Sequence, residues 1–184
     1  MKKLLAAVVG ALIVFVWSFV AHALLPLGMV GLSTLPDEEA VVDVLRGTIS
    51  EPGLYYFPAY PDPATPEQKA EFEARHEAGP LGTLIYQPGG KPAMAPGQLL
   101  TELATSFLAA LVLAFLLAYL TGSYLCRVAL SASVGLFGWF SIQLSYWTWY
   151  GFPLDYTLAA GVMEVAGWLL AGLAMAKLVP PPAP

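Results

Sequence analysis

Four long apolar segments organise the chain. Each contains few charged side chains, and they cover residues 4–25, 98–120, 124–147 and 156–179. An α-helix rises about 1.5 Å per residue, so about 20 residues span the roughly 30 Å hydrocarbon core of a bilayer. The pattern therefore predicts an all-α integral membrane protein built as a bundle of four transmembrane helices.

Most of the charged residues lie between the first two apolar segments, in residues 26–97. Pro36 and the acidic residues 37–39 predict a helix that begins there and ends near Gly47, because acidic side chains stabilise a helix N-terminus. The whole stretch has too few apolar positions for a core of its own. We expect this mixed, proline-rich loop domain to lie on the membrane or on a partner.

The second half of the loop domain has its own signals. Thr65, Pro66 and Gln68 have the spacing of a capping box, which predicts a solvated helix. Residues 53–63 combine aromatic side chains with prolines and favour an extended backbone, while residues 83–87 have the pattern of a short strand. These two segments are expected to pair as an antiparallel ribbon.

The composition agrees with a membrane protein. Hydrophobic residues make up 58% of the chain and charged residues 11%, whereas about a quarter of the residues of a soluble protein are charged. No basic patch is present to meet phosphate groups, so nucleic-acid binding is excluded. The single cysteine, Cys126, excludes an intramolecular disulfide.

Basic residues near the helix ends indicate the orientation. Lys2 and Lys3 precede the first apolar segment. The chain is back on their side of the membrane at Arg127, after two crossings, and at Lys177, after four crossings. Among the basic residues near helix ends, only Lys91 lies on the other side. The positive-inside rule then predicts a bacterial inner-membrane protein with both termini in the cytoplasm and the loop domain outside it. Residues 180–184 are rich in proline and are predicted to form a flexible tail.

A cleaved signal peptide is the alternative for the first segment. Ala21, His22 and Ala23 form an A-x-A pattern after a basic start. The apolar run is longer than the roughly 7 to 15 residues of a signal-peptide core, and it contains bulky aromatic residues. We therefore expect the first segment to remain as a membrane helix.

Small residues repeat at helical spacing in the third and fourth segments. Helices approach closely at such stripes, because lipid provides no hydrophobic drive between helices. The helix-packing positions that the spacing predicts are Ala160, Gly167, Ala171, Ser131, Gly135 and Gly138. Glu164 shares the stripe of the fourth segment, so its carboxyl is expected to point into the bundle.

Three ionisable residues, His22, Glu102 and Glu164, fall in the outer half of the predicted bundle. Such groups are costly inside a membrane and suggest function. Three interpretations stay open: a neutral Glu164 that only locks helix packing, a site for a quinol headgroup, a metal ion or a relayed proton, and a surface for another subunit. No H-x-x-x-H or C-x-x-C spacing is present, so no metal-binding residue is assigned.

Catalytic motifs are absent from the sequence. It contains no G-x-S-x-G, no glycine-rich phosphate loop and no H-E-x-x-H, so we expect neither an enzyme nor a bound cofactor. The first expectation is a non-catalytic subunit or assembly factor that packs against a larger membrane complex through its helix stripes and its aromatic loop. The alternative is a small ligand-, quinone- or metal-binding membrane protein that uses His22, Glu102 and Glu164.

Overall fold

The computed structural model describes residues 1–182 and is predominantly helical. Within that part of the chain, four helices are long and apolar enough to cross a membrane: Lys2–Leu24, Pro96–Tyr119, Tyr124–Tyr150 and Leu154–Leu178. They coincide with the four apolar segments of the sequence. The chain is therefore compatible with a multi-pass membrane protein.

The helices and strands follow one another in a simple order. They are α1 (Lys2–Phe19) with a π-helical continuation (Val20–Leu24), a 3-10 turn (Leu27–Met29), α2 (Glu38–Thr48), β1 (Gly53–Phe57), α3 (Pro66–Ala78), β2 (Gly82–Tyr86), α4 (Pro96–Tyr119), α5 (Tyr124–Gly138) with a second π-helical continuation (Trp139–Gln143), α6 (Leu144–Tyr150) and α7 (Leu154–Leu178).

The chain divides into two compact units. The helical unit comprises Met1–Leu32, Pro92–Thr148 and Phe152–Pro184, and the loop unit comprises Ser33–Lys91 and Trp149–Gly151. Of the predicted flexible tail, residues 180–184, the described residues 180–182 belong to the helical unit. These three residues adopt neither helix nor strand, and the last two residues of the tail lie outside the described residues.

In the helical unit the long helices pack in the order α4, α1, α7, α5, with few contacts between α4 and α5. Alanines allow this close approach, because their short side chains bring the helix backbones together. Ala7, Ala110 and Ala171 are fully buried, and Leu113 and Met175 fill the space between them. The core therefore lies where α1, α4 and α7 meet.

One end of the helical unit is held together by a buried arginine. Arg127, in the first turn of α5, is 4% exposed. Its Nη2 donates to the carbonyl oxygen of Leu117 at 3.1 Å and to that of Val179 at 2.6 Å. These carbonyls belong to the C-terminal ends of α4 and α7, where the helix dipole is negative. The positive guanidinium thus stabilises the place where three helices meet.

The loop unit has hardly any core, since Pro58 is its one buried residue. Strands β1 and β2 form an antiparallel ribbon in which Leu54 lies opposite Ile85. In α3 the capping box is present: the Thr65 hydroxyl accepts from the backbone N–H of Gln68, whose side chain accepts from the backbone N–H of Thr65.

The start of α2 corrects the sequence interpretation. A helix beginning at Pro36 was expected, but α2 begins at Glu38. The residue before it, Asp37, has a φ of 49° and lies in the left-handed region, which interrupts a right-handed helical path. The helix also continues past Gly47 to Thr48. Strand β2 lies one residue earlier than predicted, at Gly82–Tyr86.

Candidate functional site

A polar cleft of about 260 Å³ opens in the helical unit, at the end opposite Arg127. Helices α1 and α7 supply most of its lining, and α4 and the two π-helical segments supply one residue each. The polar side chains that line it are Ser18, His22, Glu102, Gln143, Tyr156 and Glu164, and the indoles are those of Trp17 and Trp168. We call this site the cleft.

All three ionisable residues singled out in the sequence line the cleft. His22 comes from the π-helical continuation of α1, Glu102 from the second turn of α4, and Glu164 from α7. All three residues are exposed, and all three line the opening. Glu164 is ten residues after Leu154, the first residue of α7, which places it about 15 Å along the helix axis. The cleft thus extends from the helix ends to the middle of α7.

The His22 ring is held by a hydrogen bond to its own helix. Its Nδ1 lies 2.8 Å from the carbonyl oxygen of Ser18. A carbonyl oxygen only accepts hydrogen bonds, so Nδ1 carries a proton and donates it to this bond. Gly28 packs directly against the ring, and a Cβ atom there would overlap it. The turn after α1 therefore has room for His22 because residue 28 has no side chain.

The Glu164 carboxylate is anchored by its own helix. Trp168, one turn further along α7 and 7% exposed, donates its indole N–H to Oε1 of Glu164 at 3.0 Å. A carboxylate can accept about four hydrogen bonds. The anchored group therefore keeps accepting capacity toward the cleft.

Both π-helical segments border the cleft. His22 lies in the first segment and Gln143 is the last residue of the second. A π-helical turn inserts one extra residue into an α-helix, shifts the side chains that follow, and is frequent at functional sites. Sequence reasoning missed Gln143, Tyr156 and the two indoles as lining residues. These residues line the cleft because of the π-helical turns and the order in which the helices pack, and helical periodicity in the sequence predicts neither.

The predicted packing residues lie mostly where α7 meets its neighbours. A Cβ atom on Gly135 would lie 2.8 Å from the carbonyl oxygen of Glu164, and one on Gly167 would lie 3.0 Å from Cδ1 of Trp17. Ser131 packs against Gly172, which is not among the packing positions predicted for the fourth segment. Glycines at these positions allow α5 and α1 to approach α7 closely.

The other predicted packing positions have different surroundings. Ala171 is fully buried in the core. Ala160 lines the cleft. Gly138 faces the Glu164 carboxylate, since a Cβ atom on Gly138 would lie 3.7 Å from Oε1 of Glu164. Gly167 also lines the cleft, so three of the six positions border the candidate site as well as a helix interface.

Within residues 1–182, no group of three or more His, Cys, Asp or Glu side chains is arranged to hold a metal ion. Comparisons with protein-family models, with curated proteins and with solved structures found no match for this chain. The geometry of the cleft is therefore the basis for a functional proposal.

Proposed function

We propose that this chain is a multi-pass protein of the bacterial inner membrane that binds a small molecule in the cleft. One observation carries the proposal: His22, Glu102 and Glu164 come from three different helices and line a single opening. Ionisable groups inside a membrane are costly and are usually retained for a task. A cleft that gathers three of them supports ligand binding.

The surroundings of Glu164 agree less well with a role of this residue in helix packing alone than with a role in ligand binding. A carboxyl that only locks two helices is expected to be enclosed between them and bonded to the facing helix. The carboxylate of Glu164 is instead exposed, and its indole partner lies on its own helix. This arrangement orients the group and leaves it accessible to a ligand.

The proposed orientation follows from the charges of the helical unit. Its Lys and Arg residues are Lys2, Lys3, Arg127 and Lys177. The Nζ of Lys3 lies 4.9 Å from the ring centre of Phe115 in α4, and the Nζ of Lys177 lies 5.6 Å from that of Tyr124 in α5. Because α4 ends and α5 begins at the Arg127 end, the positive-inside rule places that end and both termini at the cytoplasmic face. The cleft then lies in the outer half of the membrane.

A cavity-filling substitution tests the proposal. Ala160→Phe adds a ring to the lining of the cleft, whereas Val162→Phe adds the same ring at a position on α7 that is 58% exposed and outside the lining. The full-length protein is extracted in mild detergent, and the small molecules that it retains after gel filtration are identified by mass spectrometry. We expect one compound at near-stoichiometric amount in the wild type and in Val162→Phe, and its loss in Ala160→Phe. Equal amounts in all three proteins, or none in any, would contradict the proposal.

A second candidate function is a non-catalytic subunit or assembly factor of a larger membrane complex. The ribbon of the loop unit favours it. Leu54 and Ile85 lie opposite each other and share a face with Tyr56, and their exposed fractions are 64%, 72% and 57%. Directly opposed residues of an antiparallel pair point to the same side. A contiguous apolar face of this kind marks an interaction surface.

Native gel electrophoresis of the gently extracted chain tests this second function. We expect the wild type to migrate with a defined set of larger subunits, and Ile85→Glu to release it. Glu73→Gln on the solvated helix α3 is the control and should leave the complex intact. Migration of the wild type alone would rule out the subunit function and leave the cleft proposal in place.

A further inference from the structure

Charge is strongly segregated within the helical unit. Its acidic residues are Glu102, Asp155 and Glu164, and two of these line the cleft. Its Lys and Arg residues lie at the opposite end, around Arg127. No Lys or Arg is among the described residues that line the cleft. We infer that the ligand of the cleft is a small organic cation with an apolar body, an inference that rests on the proposed function.

The hydrogen-bonding chemistry of the lining points the same way. Ionised carboxylates accept hydrogen bonds and cannot donate them. The lining also holds hydrogen-bond donors on Ser18, Gln143 and Tyr156, but none of these side chains is positively charged. An anion would be repelled by both glutamates. A cation or a strong donor is complementary to this lining.

Two carboxylates attract a cation more strongly here than in water. The interaction between unit charges grows as the effective dielectric constant falls from about 80 in water to about 20 near protein groups. Glu164 is held in place by the buried Trp168, so its charge is oriented before a ligand arrives. The carboxylate of Glu164 therefore serves as the counter-charge, with Glu102 nearer the helix ends.

The remaining lining accounts for an apolar body. Trp17, Tyr156 and Trp168 bring three aromatic rings to the opening, and Met163 adds an apolar surface. Aromatic faces attract organic cations, most strongly when water is excluded. The volume of about 260 Å³ is just below the range of about 300–1,000 Å³ that holds drug-sized ligands. The ligand is thus of the size of one ring with an ammonium headgroup.

The inference is tested with a matched pair of probes on the full-length protein in phosphatidylcholine nanodiscs. Benzyltrimethylammonium carries the charge, and neopentylbenzene is its uncharged carbon isostere. Saturation-transfer NMR measures the binding of both. We expect saturable binding of the cation, at least about tenfold tighter than that of the isostere, because only the cation interacts with the two carboxylates.

Charge-removing variants assign the effect to residues. Glu164→Gln and Glu102→Gln lie on different helices, so that one remains informative if the other does not fold. Each should weaken binding of the cation by about tenfold or more. Asp155→Asn removes an acidic group of the same unit that does not line the cleft, and it should change binding by less than about twofold. Full retention of cation binding in both glutamine variants would overturn the inference.

A third probe separates failure of this inference from failure of the proposed function. A dimethoxy-methyl-hydroquinone represents a quinol headgroup. If the hydroquinone or the uncharged isostere binds, loses its site in Ala160→Phe and is favoured over the ammonium ion, the cation inference is wrong and the ligand-binding function stands. If no probe shows binding that Ala160→Phe removes, both are wrong.

Discussion

The indole of Trp168 holds the carboxylate of Glu164 from one turn away on the same helix, with 3.0 Å between Nε1 and Oε1. Trp168 is buried against the core formed by α1, α4 and α7, while Glu164 is exposed in the cleft. A rigid apolar residue thus orients the one ionisable group in the middle of α7. The pair connects the packing of the helices to the candidate site.

Trp168→Phe should reduce the free energy of unfolding by about 1–2 kcal/mol, because it removes a hydrogen bond to a carboxyl group and leaves most of the ring volume in place. Glu164→Gln should change it by less than about 0.5 kcal/mol, because the amide oxygen can still accept from the indole. Unfolding of the detergent-solubilised full-length protein measures both. Trp149→Phe, at a side chain that is 81% exposed, is the control. Equal stability of Trp168→Phe and Trp149→Phe would show that the bond contributes nothing.

The close approach of α5 and α7 can be tested with two neighbouring glycines. Gly135→Ala places a Cβ atom 2.8 Å from the backbone carbonyl oxygen of Glu164, so the helices must separate. We expect a loss of about 1–3 kcal/mol in the free energy of unfolding. Gly138→Ala is the matched control, since its Cβ atom would have an ordinary contact of 3.7 Å. A Gly135→Ala protein as stable as Gly138→Ala would contradict this packing.

Removal of the buried guanidinium should loosen the opposite end of the helical unit. Arg127→Met leaves the carbonyl groups of Leu117 and Val179 without their charged donor. We expect a loss of about 2–4 kcal/mol in the free energy of unfolding. The control, Arg46→Met, removes an exposed ion pair with Asp43 and should cost less than about 1 kcal/mol. Thermal unfolding of both variants in detergent decides the comparison.

The stability of α3 is predicted to depend on pH, because a carboxyl group in its first turn has a shifted pKa. Hydrogen bonds from the backbone N–H of Glu67 and from the Thr65 side chain lower the pKa of the Glu67 carboxyl below its usual value of 4.5. A carboxyl whose pKa is lower in the folded state contributes stability above its unfolded pKa and loses it as the pH falls through the folded pKa. Protection of the α3 amides from hydrogen exchange should therefore decrease on acidification below pH 4.5.

Thr65→Ala should weaken α3 at neutral pH by about 1 kcal/mol through loss of the cap. It should also raise the pKa of Glu67 towards its usual value, because one of the two bonds that lower it is lost. Thr65→Ser keeps the hydroxyl and serves as the control. Hydrogen exchange of residues 66–78, followed by mass spectrometry, reports on both variants. Unchanged exchange in Thr65→Ala would contradict the capping assignment.

Much of the secondary structure could be predicted because its causes are local. The lengths of the four apolar segments predict four helices that can cross a membrane. A helix is the structure expected there, because its own hydrogen bonds satisfy the backbone N–H and C=O groups in lipid. The Thr65 cap likewise depends on residues within one turn. Local signals were less reliable at Asp37, whose left-handed backbone shifted the start of α2.

Residue type and spacing along each helix are visible in the amino-acid sequence, and they identify His22, Glu102 and Glu164 as ionisable groups within apolar segments. Their meeting in one cleft depends on tertiary packing, because the order α4, α1, α7, α5 results from close contacts such as Gly167 with Trp17. Gln143, at the end of the second π-helical segment, joins them only through this packing. Helix periodicity arises within one segment, whereas helix order depends on packing between segments that are far apart in the chain.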